Sequence, residues 1–261
     1  MVNIHKIVPN KCLFLAYDQG LEHGPSSDFN ETNVNPEYVL DIGVKGKYNG
    51  LILLPGVAEK YSQNFLKKVP LIVKLNGKTD IAKVDPYSAQ ICSVSRAIKM
   101  GADAVGYTVY VGSAFESTMF KEFSKIVEEA HDHGVPVIAW MYPRGRFVHN
   151  ILDTNVLAHS ARAGLELGAD ILKLNNNDDL PGLKWVVKSA GKAKIVFSGG
   201  SKLSEPDFYK HIEFGMKAGG TGVAIGRNVW QAEDPLAVTR NLKKIVLEGK
   251  KAEDIIREAT I

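Results

Sequence analysis

Lys173 lies inside Ile171-Leu172-Lys173-Leu174-Asn175, a short apolar run after Gly168-Ala169-Asp170 that predicts a β-strand. Successive side chains of a strand face opposite sides, so Leu172 and Leu174 share one face and Ile171, Lys173 and Asn175 the other. A lysine so placed faces inward. Burial there disfavours the ammonium form, lowers the pKa and frees the lone pair that a Schiff-base nucleophile needs. The alternative is a lysine neutralised by a carboxylate in a structural ion pair. Polar residues close other apolar runs in the same way: Asp18 the first, Lys74 and Asn76 the third, Tyr107, Thr108 and Tyr110 the fourth, Trp140, Tyr142 and Arg144 the fifth. A hydrophobic core has no need of an Asp, two Lys, a Tyr and an Arg at such positions. Tyr142 beside a lysine imine could move protons, or it could cap a core through a structural hydrogen bond.

The last two runs end in Ser198-Gly199-Gly200-Ser201-Lys202 and Ile225-Gly226-Arg227-Asn228. Glycines let backbone N–H groups approach an anion, and Lys202 and Arg227 would add countercharge. Gly199-Gly200 alone could be a tight turn. Paired with Gly226-Arg227 it favours a phosphate site, so the predicted substrate is a phosphate ester.

These residues need a scaffold that brings strand ends together. Apolar runs bounded by Gly, Asp or Pro predict eight strands, at 13–18, 50–55, 71–76, 104–111, 136–142, 169–175, 194–200 and 222–227. Helical spacing alternates with them at 37–48, 58–66, 88–100, 114–133, 155–167, 182–190, 205–218 and 236–247. Gly101, Gly168 and Gly219 are placed as helix C-caps introducing the next strand. Eight strand–helix units without a second composition zone predict a (β/α)8 barrel forming one domain over 1–261, with an open doubly wound sheet as the alternative. The open sheet would carry a Gly-rich dinucleotide turn after the first strand; the chain has Asp18-Gln19-Gly20-Leu21-Glu22-His23-Gly24 there, so no dinucleotide cofactor is expected. Barrel enzymes place their chemistry at the C-terminal ends of strands and often bind phosphate after the last two, which is where these residues fall. The polar loop 24–35, with Pro25, Ser26, Ser27, Asn30, Asn33 and Asn35, would lie on the active-site rim.

Composition narrows the class. The chain has 261 residues, 45% hydrophobic and 23% charged, enough for a large core. Net charge is +3, without a basic run or aromatic-interleaved patch, so nucleic acid is not an expected partner and small acidic substrates are. Two cysteines, Cys12 and Cys92, cannot build a disulfide framework and point to a reducing compartment. No stretch approaches membrane-spanning length, and Pro9 with neighbouring charges interrupts the apolar core that a signal peptide requires. Of seven histidines, only His23 and His149 fall near strand tops, and no HxH or HxxxH closes a strand; a divalent metal is not expected.

In combination the motifs are specific. Leu15-Ala16-Tyr17-Asp18-Gln19-Gly20 with Glu22-His23-Gly24, Lys74-Leu75-Asn76-Gly77-Lys78, Met141-Tyr142-Pro143-Arg144-Gly145, the lysine strand, Ser198-Gly199-Gly200 and Ala224-Ile225-Gly226-Arg227-Asn228-Val229-Trp230-Gln231 resemble the archaeal-type class I fructose-1,6-bisphosphate aldolases of the DeoC/FbaB-like family, in order, from Leu13 to about residue 245. The resemblance implies a (β/α)8 barrel with Lys173 as Schiff-base lysine, Tyr142 as proton-transferring acid/base and Asp18 as a further catalytic carboxylate. It implies that Trp140 and Arg144 line the substrate site, where Lys74 and Asn76 are further candidates for contact. Ser198, Gly199, Gly200, Lys202, Gly226 and Arg227 would hold a phosphate. The implied reaction is reversible, metal-independent cleavage of fructose 1,6-bisphosphate to dihydroxyacetone phosphate and glyceraldehyde 3-phosphate, in a large ring-like homo-oligomer of the cytoplasm.

Two departures bear on substrate and efficiency: Gln19 replaces a common His, and Asn176-Asn177-Asp178-Asp179 replaces the Tyr-Thr-Gly-Asp of many relatives. Transaldolase-like 2-amino-3,7-dideoxy-D-threo-hept-6-ulosonate synthase shares the Met-Tyr-Pro-Arg-Gly segment, and turnover with aspartate semialdehyde as acceptor separates it. A phosphate-binding barrel isomerase or a non-catalytic phosphosugar-binding protein could use the same glycines, but neither requires an inward lysine with Tyr142 and Asp18.

Overall fold

Side-chain alternation divides the core of this protein into two shells. In the first strand, β1 (Cys12–Tyr17), all six residues are buried. Cys12, Phe14 and Ala16 turn toward a central cluster, whereas Leu13, Leu15 and Tyr17 turn outward beneath the helices. Strands covered on both faces read as continuous apolar runs, which is why the strand signal in this sequence is strong. The computed structural model describes residues 2–25, 28–65 and 67–260. After β1 come β2 (Gly50–Leu53), β3 (Leu71–Lys74), β4 (Asn76–Gly77), β5 (Ala89–Gln90), β6 (Ala104–Val111), β7 (Val137–Pro143), β8 (Ile171–Leu174), β9 (Lys194–Ser198) and β10 (Gly222–Ile225). Eight of them close into a parallel barrel in the order β1-β10-β9-β8-β7-β6-β3-β2. Phe14, Ile52, Ile72, Ala104, Ile138, Ile171, Val196 and Ala224 fill its interior. Ile4, Ile7 and Val8 join them and plug the N-terminal end, leaving the C-terminal end for the site.

The helices are α1 (Gly20–His23), α2 (Pro36–Lys45), α3 (Pro55–Tyr61), α4 (Val94–Lys99), α5 (Glu116–Asp132), α6 (Thr154–Glu166), α7 (Leu180–Ser189), α8 (Glu205–Lys217), α9 (Arg227–Trp230), α10 (Pro235–Val246) and α11 (Ala252–Thr260). Capping fixes several starts: Asp153 accepts from the N–H groups of Asn155 and Val156, Ser204 from Asp207, and Asp234 from Leu236 and Ala237. Gly101, Gly168 and Gly219 have positive φ at the expected helix ends. Among the described residues no helix is long and apolar enough to cross a membrane.

The structure corrects the sequence reading at several places. The helix expected over 88–100 begins only at Val94, where the Ser93 hydroxyl accepts from the Arg96 N–H. Ala89–Gln90 instead pairs antiparallel with Asn76–Gly77, a hairpin that Asn76 secures by donating to the Ser88 carbonyl at 2.9 Å. Helices α1 and α9 have four residues each, too few to show a period, and α11 adds a terminal helix whose Ala252 and Ile255 are buried. The helix expected over 58–66 starts earlier, at Pro55, and its expected last residue, Leu66, lies outside the described residues, as do Ser26 and Ser27 of the rim loop.

Candidate active site

At the C-terminal end of the barrel the inward side chains surround a cavity of about 560 Å³. Trp140, inward on β7 and in register with Lys173 on β8, forms part of its wall. The indole lies across β6 at Gly106: a Cβ built there would fall 2.1 Å from a ring carbon, so only glycine fits under it. Two lysines approach this ring, Lys173 with Nζ 5.1 Å and Lys74 with Nζ 5.8 Å from the centroid. An aromatic face tolerates nearby positive charge in a dry site.

The two lysines differ in their partners. Lys74 pairs with Asp18 at 3.1 Å, both groups being buried. Lys173 is 6% exposed and makes no ion pair among the described residues. Burial brings its amine down to about 8; Asp18 opposes that shift and the charge of Lys74 adds to it. The structural ion pair that could have explained an inward lysine therefore belongs to Lys74. Burial works against ionisation of Asp18, but Lys74 and then Lys173 outweigh it and hold the carboxyl below its ordinary value. Tyr142 is pushed well above the usual phenol value, by burial first and by Asp18 next, so it carries its proton. Its hydroxyl makes no hydrogen bond among the described residues and borders the cavity.

Arg144 leans over the rings of Tyr110 and Tyr142, 5.6 and 5.9 Å from their centroids. Its Nη1 donates to Glu22 Oε1 at 2.8 Å, and Glu22 also accepts from the Tyr110 hydroxyl at 3.3 Å. Glu22 comes from α1 on the rim and sets where Arg144 points. Glu22, His23 and Asp80 offer ligand atoms within 4.8 Å of one another, a spacing that could hold a metal ion. Lys78, 2.5 Å from Asp80 and 3.9 Å from Glu22, and Arg144 already place positive charge on this group. His149, the other histidine near a strand top, is exposed.

Ser198, Gly199, Gly200, Gly226 and Arg227 all line the cavity on its other side. Gly200 has φ 68°, where an L side chain is strained, and the chain turns there to keep its backbone close to the cavity. Asn228 fixes that loop: its Nδ2 donates to the carbonyls of Gly199 at 3.0 Å and Ser201 at 2.9 Å, while its Oδ1 accepts from the Leu203 N–H at 2.9 Å. Arg227 Nη1 donates to Asp28 Oδ1 at 3.0 Å, so part of its charge is already matched.

Two expected contacts do not reach the cavity. Asn76 is fully buried, donates to the carbonyls of Ser88 and Thr108, and accepts from the Thr108 N–H, so its whole amide is committed to backbone. Lys202 follows the turn at Gly200 and is exposed, outside the residues that line the cavity. Conversely, His211 lines the wall although it lies on a helix. Its signal in the sequence was its place in the Phe208–His211–Ile212–Gly215 stripe, the buried face of α8. His211 Nδ1 bonds Asp178 at 2.8 and 3.1 Å to the two carboxylate oxygens. Asp178 has φ 58°, a left-handed backbone conformation uncommon outside glycine. Glu22 and Asn228 likewise gained no role from sequence, because each acts through residues far away along the chain.

The chain matches the family model of the DeoC/LacD family aldolases over residues 12–232. It is 44% identical over 244 residues to the fructose-bisphosphate aldolase class 1 of Thermoproteus tenax, covering 92% of this chain and 91% of that one. To the protein of the same name from Halobacterium salinarum it is 40% identical, covering 94% of both. Among solved structures it is similar to an archaeal fructose-1,6-bisphosphate aldolase whose catalytic lysine is covalently bound to the carbinolamine intermediate of the substrate: TM-score 0.88, 42% identity, 93% of this chain and 98% of that one. A further solved structure, of reaction intermediates of the Schiff-base-forming enzyme, has TM-score 0.87 and 43% identity over 91% of this chain and 95% of that one. With a closed parallel barrel and, at the strand ends, a buried lysine that makes no ion pair among the described residues, the chain belongs to the DeoC/LacD family of aldolases.

Proposed function

We propose that the protein is a class I aldolase that reversibly cleaves fructose 1,6-bisphosphate to dihydroxyacetone phosphate and glyceraldehyde 3-phosphate. The observation that carries this reading is Lys173: buried, without an ion pair among the described residues, lowered to about 8, and lining the cavity. A neutral amine is available there to attack the C2 carbonyl. The nitrogen loses a proton, the oxygen gains one, and a carbinolamine results. Tyr142, which arrives protonated, donates as the carbinolamine hydroxyl leaves as water, and a protonated imine forms. The phenolate so produced takes the proton of the C4 hydroxyl while the C3–C4 bond breaks. The bonding electrons pass into the imine, giving an enamine, and the aldehyde departs. Tyr142 then protonates C3, and water releases the second product from Lys173. Asp18, kept ionised by Lys74, stabilises the positive imine across the cavity. The imine is the electron sink, so no step is assigned to a metal.

Ser198, Gly199, Gly200, Gly226 and Arg227 are read as the phosphate site, with backbone amides as donors. Trp140, Arg144 and Lys74 are read as the walls against which the sugar lies. The whole chain, 1–261, works as one catalytic domain in this reading, in the reducing cytoplasm, as a ring-like homo-oligomer serving glycolysis or gluconeogenesis. Free, buried Cys12 and Cys92 support the compartment, and light scattering on the purified protein tests the assembly.

Borohydride added with dihydroxyacetone phosphate is expected to fix a reduced adduct on Lys173, found by peptide mass spectrometry, and Lys173→Ala is expected to abolish cleavage. An unmodified Lys173, or cleavage that survives the substitution, sinks the proposal.

A further inference from the structure

His211 is buried, borders the cavity, and has one ring nitrogen unused. It is 8% exposed, and Nε2 has no hydrogen-bond partner among the described residues and almost no contact with solvent. A Cβ on Gly200 would lie 3.7 Å from Nε2, which places this nitrogen against the loop that carries Ser198, Gly199 and Gly200. The opposite nitrogen, Nδ1, is held by the Asp178 carboxylate. Asp178 is fixed in turn: its N–H donates to Asn176 Oδ1 at 2.9 Å, and Asn176 Nδ2 donates to the His211 carbonyl at 2.6 Å. This closed brace holds the ring in one orientation. A buried polar atom left without a partner is costly, so an atom so braced and so unsatisfied marks a place for a ligand.

The chemistry of that ligand follows from the wall. The backbone at Gly200 suits an anion, yet Lys202 is turned outward and Arg227 shares its charge with Asp28. We propose that His211 is a phosphate-binding residue whose Nε2 completes the cradle of the Gly199–Gly200 loop, and that Asp178 is the positioning residue that fixes its tautomer. With Nδ1 donating to Asp178, Nε2 meets a phosphate ester in either state of the ring. A neutral ring accepts from a P–OH group, and an imidazolium donates to P–O⁻. This inference rests on the phosphosugar reading above and assigns one of its contacts to a residue on α8 rather than on a strand end.

The test compares borohydride trapping of Lys173 by dihydroxyacetone phosphate and by unphosphorylated dihydroxyacetone, as a function of ketone concentration, in the wild type, His211→Ala, His211→Gln and Asp178→Asn. A hydrogen bond to a charged group predicts a roughly 10- to 100-fold higher half-saturating concentration of dihydroxyacetone phosphate in His211→Ala. The half-saturating concentration of dihydroxyacetone should be nearly the same as in wild type. His211→Gln and Asp178→Asn should fall between. An equal rise for both ketones, or no rise for either, refutes the inference and leaves the Lys173 chemistry intact. Failure of the wild type to trap either ketone removes the aldolase reading itself. In the unsubstituted protein, inorganic phosphate should shift the ¹⁵N resonance of His211 Nε2; an unmoved resonance at saturating phosphate overturns the assignment without any variant.

Discussion

Lys74→Met separates burial from a neighbouring charge as the cause of the lowered Lys173 amine. Both ammonium groups lie near the Trp140 ring, Lys173 5.1 Å and Lys74 5.8 Å from its centroid, so they are no more than about 11 Å apart. Two unit charges at that distance in an effective dielectric of about 20 repel by roughly 1.5 kcal/mol, equivalent to about one pH unit. Removing Lys74 also leaves the Asp18 carboxylate without its 3.1 Å partner, and its attraction for Lys173 rises. Both changes act in one direction, raising the amine above its value of about 8. In wild type the rate of borohydride trapping at low ketone should climb with pH through about 8, as the amine loses its proton. In Lys74→Met the midpoint should move up by roughly one unit or more, which lowers the neutral fraction at pH 8 about fivefold. A stopped pH series from 6 to 10.5 with mass detection of the adduct reads both midpoints. A midpoint that stays put would show that Lys74 contributes nothing to the state of Lys173, and one that falls would reverse the electrostatic argument.

The remaining predictions concern the same cavity. Because Lys173 is depressed from 10.5 to about 8, the unfolded chain binds more protons between those values and stability rises with pH across that window. Below pH 8 the depression costs about 3 kcal/mol. Lys173→Met should therefore melt higher than wild type at pH 7, with the gain fading toward pH 10.5; a lower melting point at pH 7 contradicts this. Tyr142→Phe should slow cleavage of fructose 1,6-bisphosphate by about 10² to 10⁴, measured as coupled aldehyde release, and a loss under tenfold would remove the phenol from proton transfer. Gly106→Val should displace the indole that lies 2.1 Å from its would-be Cβ, costing roughly 1–3 kcal/mol in urea melts, and an unchanged urea midpoint would mean that the ring is not held there.

How much of this was legible in the sequence follows from which residues obey a period. The eight barrel strands are covered on both faces, so their apolar runs stand out. Their ends are blurred: Asp18, Asn175 and Gly200 continue the run in composition while leaving the ladder for the cavity. Alternation within a strand fixes the face, which is why Lys173, Tyr142, Trp140, Lys74 and Asp18 were found and meet in space. Beyond the strand ends no period applies. Asn76 was read as closing the third apolar run and Lys202 as countercharge beside the glycines, but one is consumed by the backbone of residues 88 and 108 and the other is exposed beyond the turn at Gly200. His211 meets Asp178 across 33 residues and Glu22 meets Arg144 across 122, juxtapositions that only the closed barrel creates.

The choice between two inward lysines is settled by charge accounting. Around the Trp140 ring, two buried amines, Lys74 and Lys173, lie near the buried carboxylate of Asp18. A buried ion pair tolerates burial because each charge answers the other, whereas a second buried ammonium has no such answer. Asp18 makes its ion pair with Lys74, so burial and the like charge of Lys74 both act on Lys173. The polarity of the site therefore does not conflict with a neutral nucleophile. Burial does most to lower the Lys173 amine, the charge of Lys74 adds to that, and the carboxylate of Asp18 that opposes it stands ready to balance the positive imine once a ketose has bound.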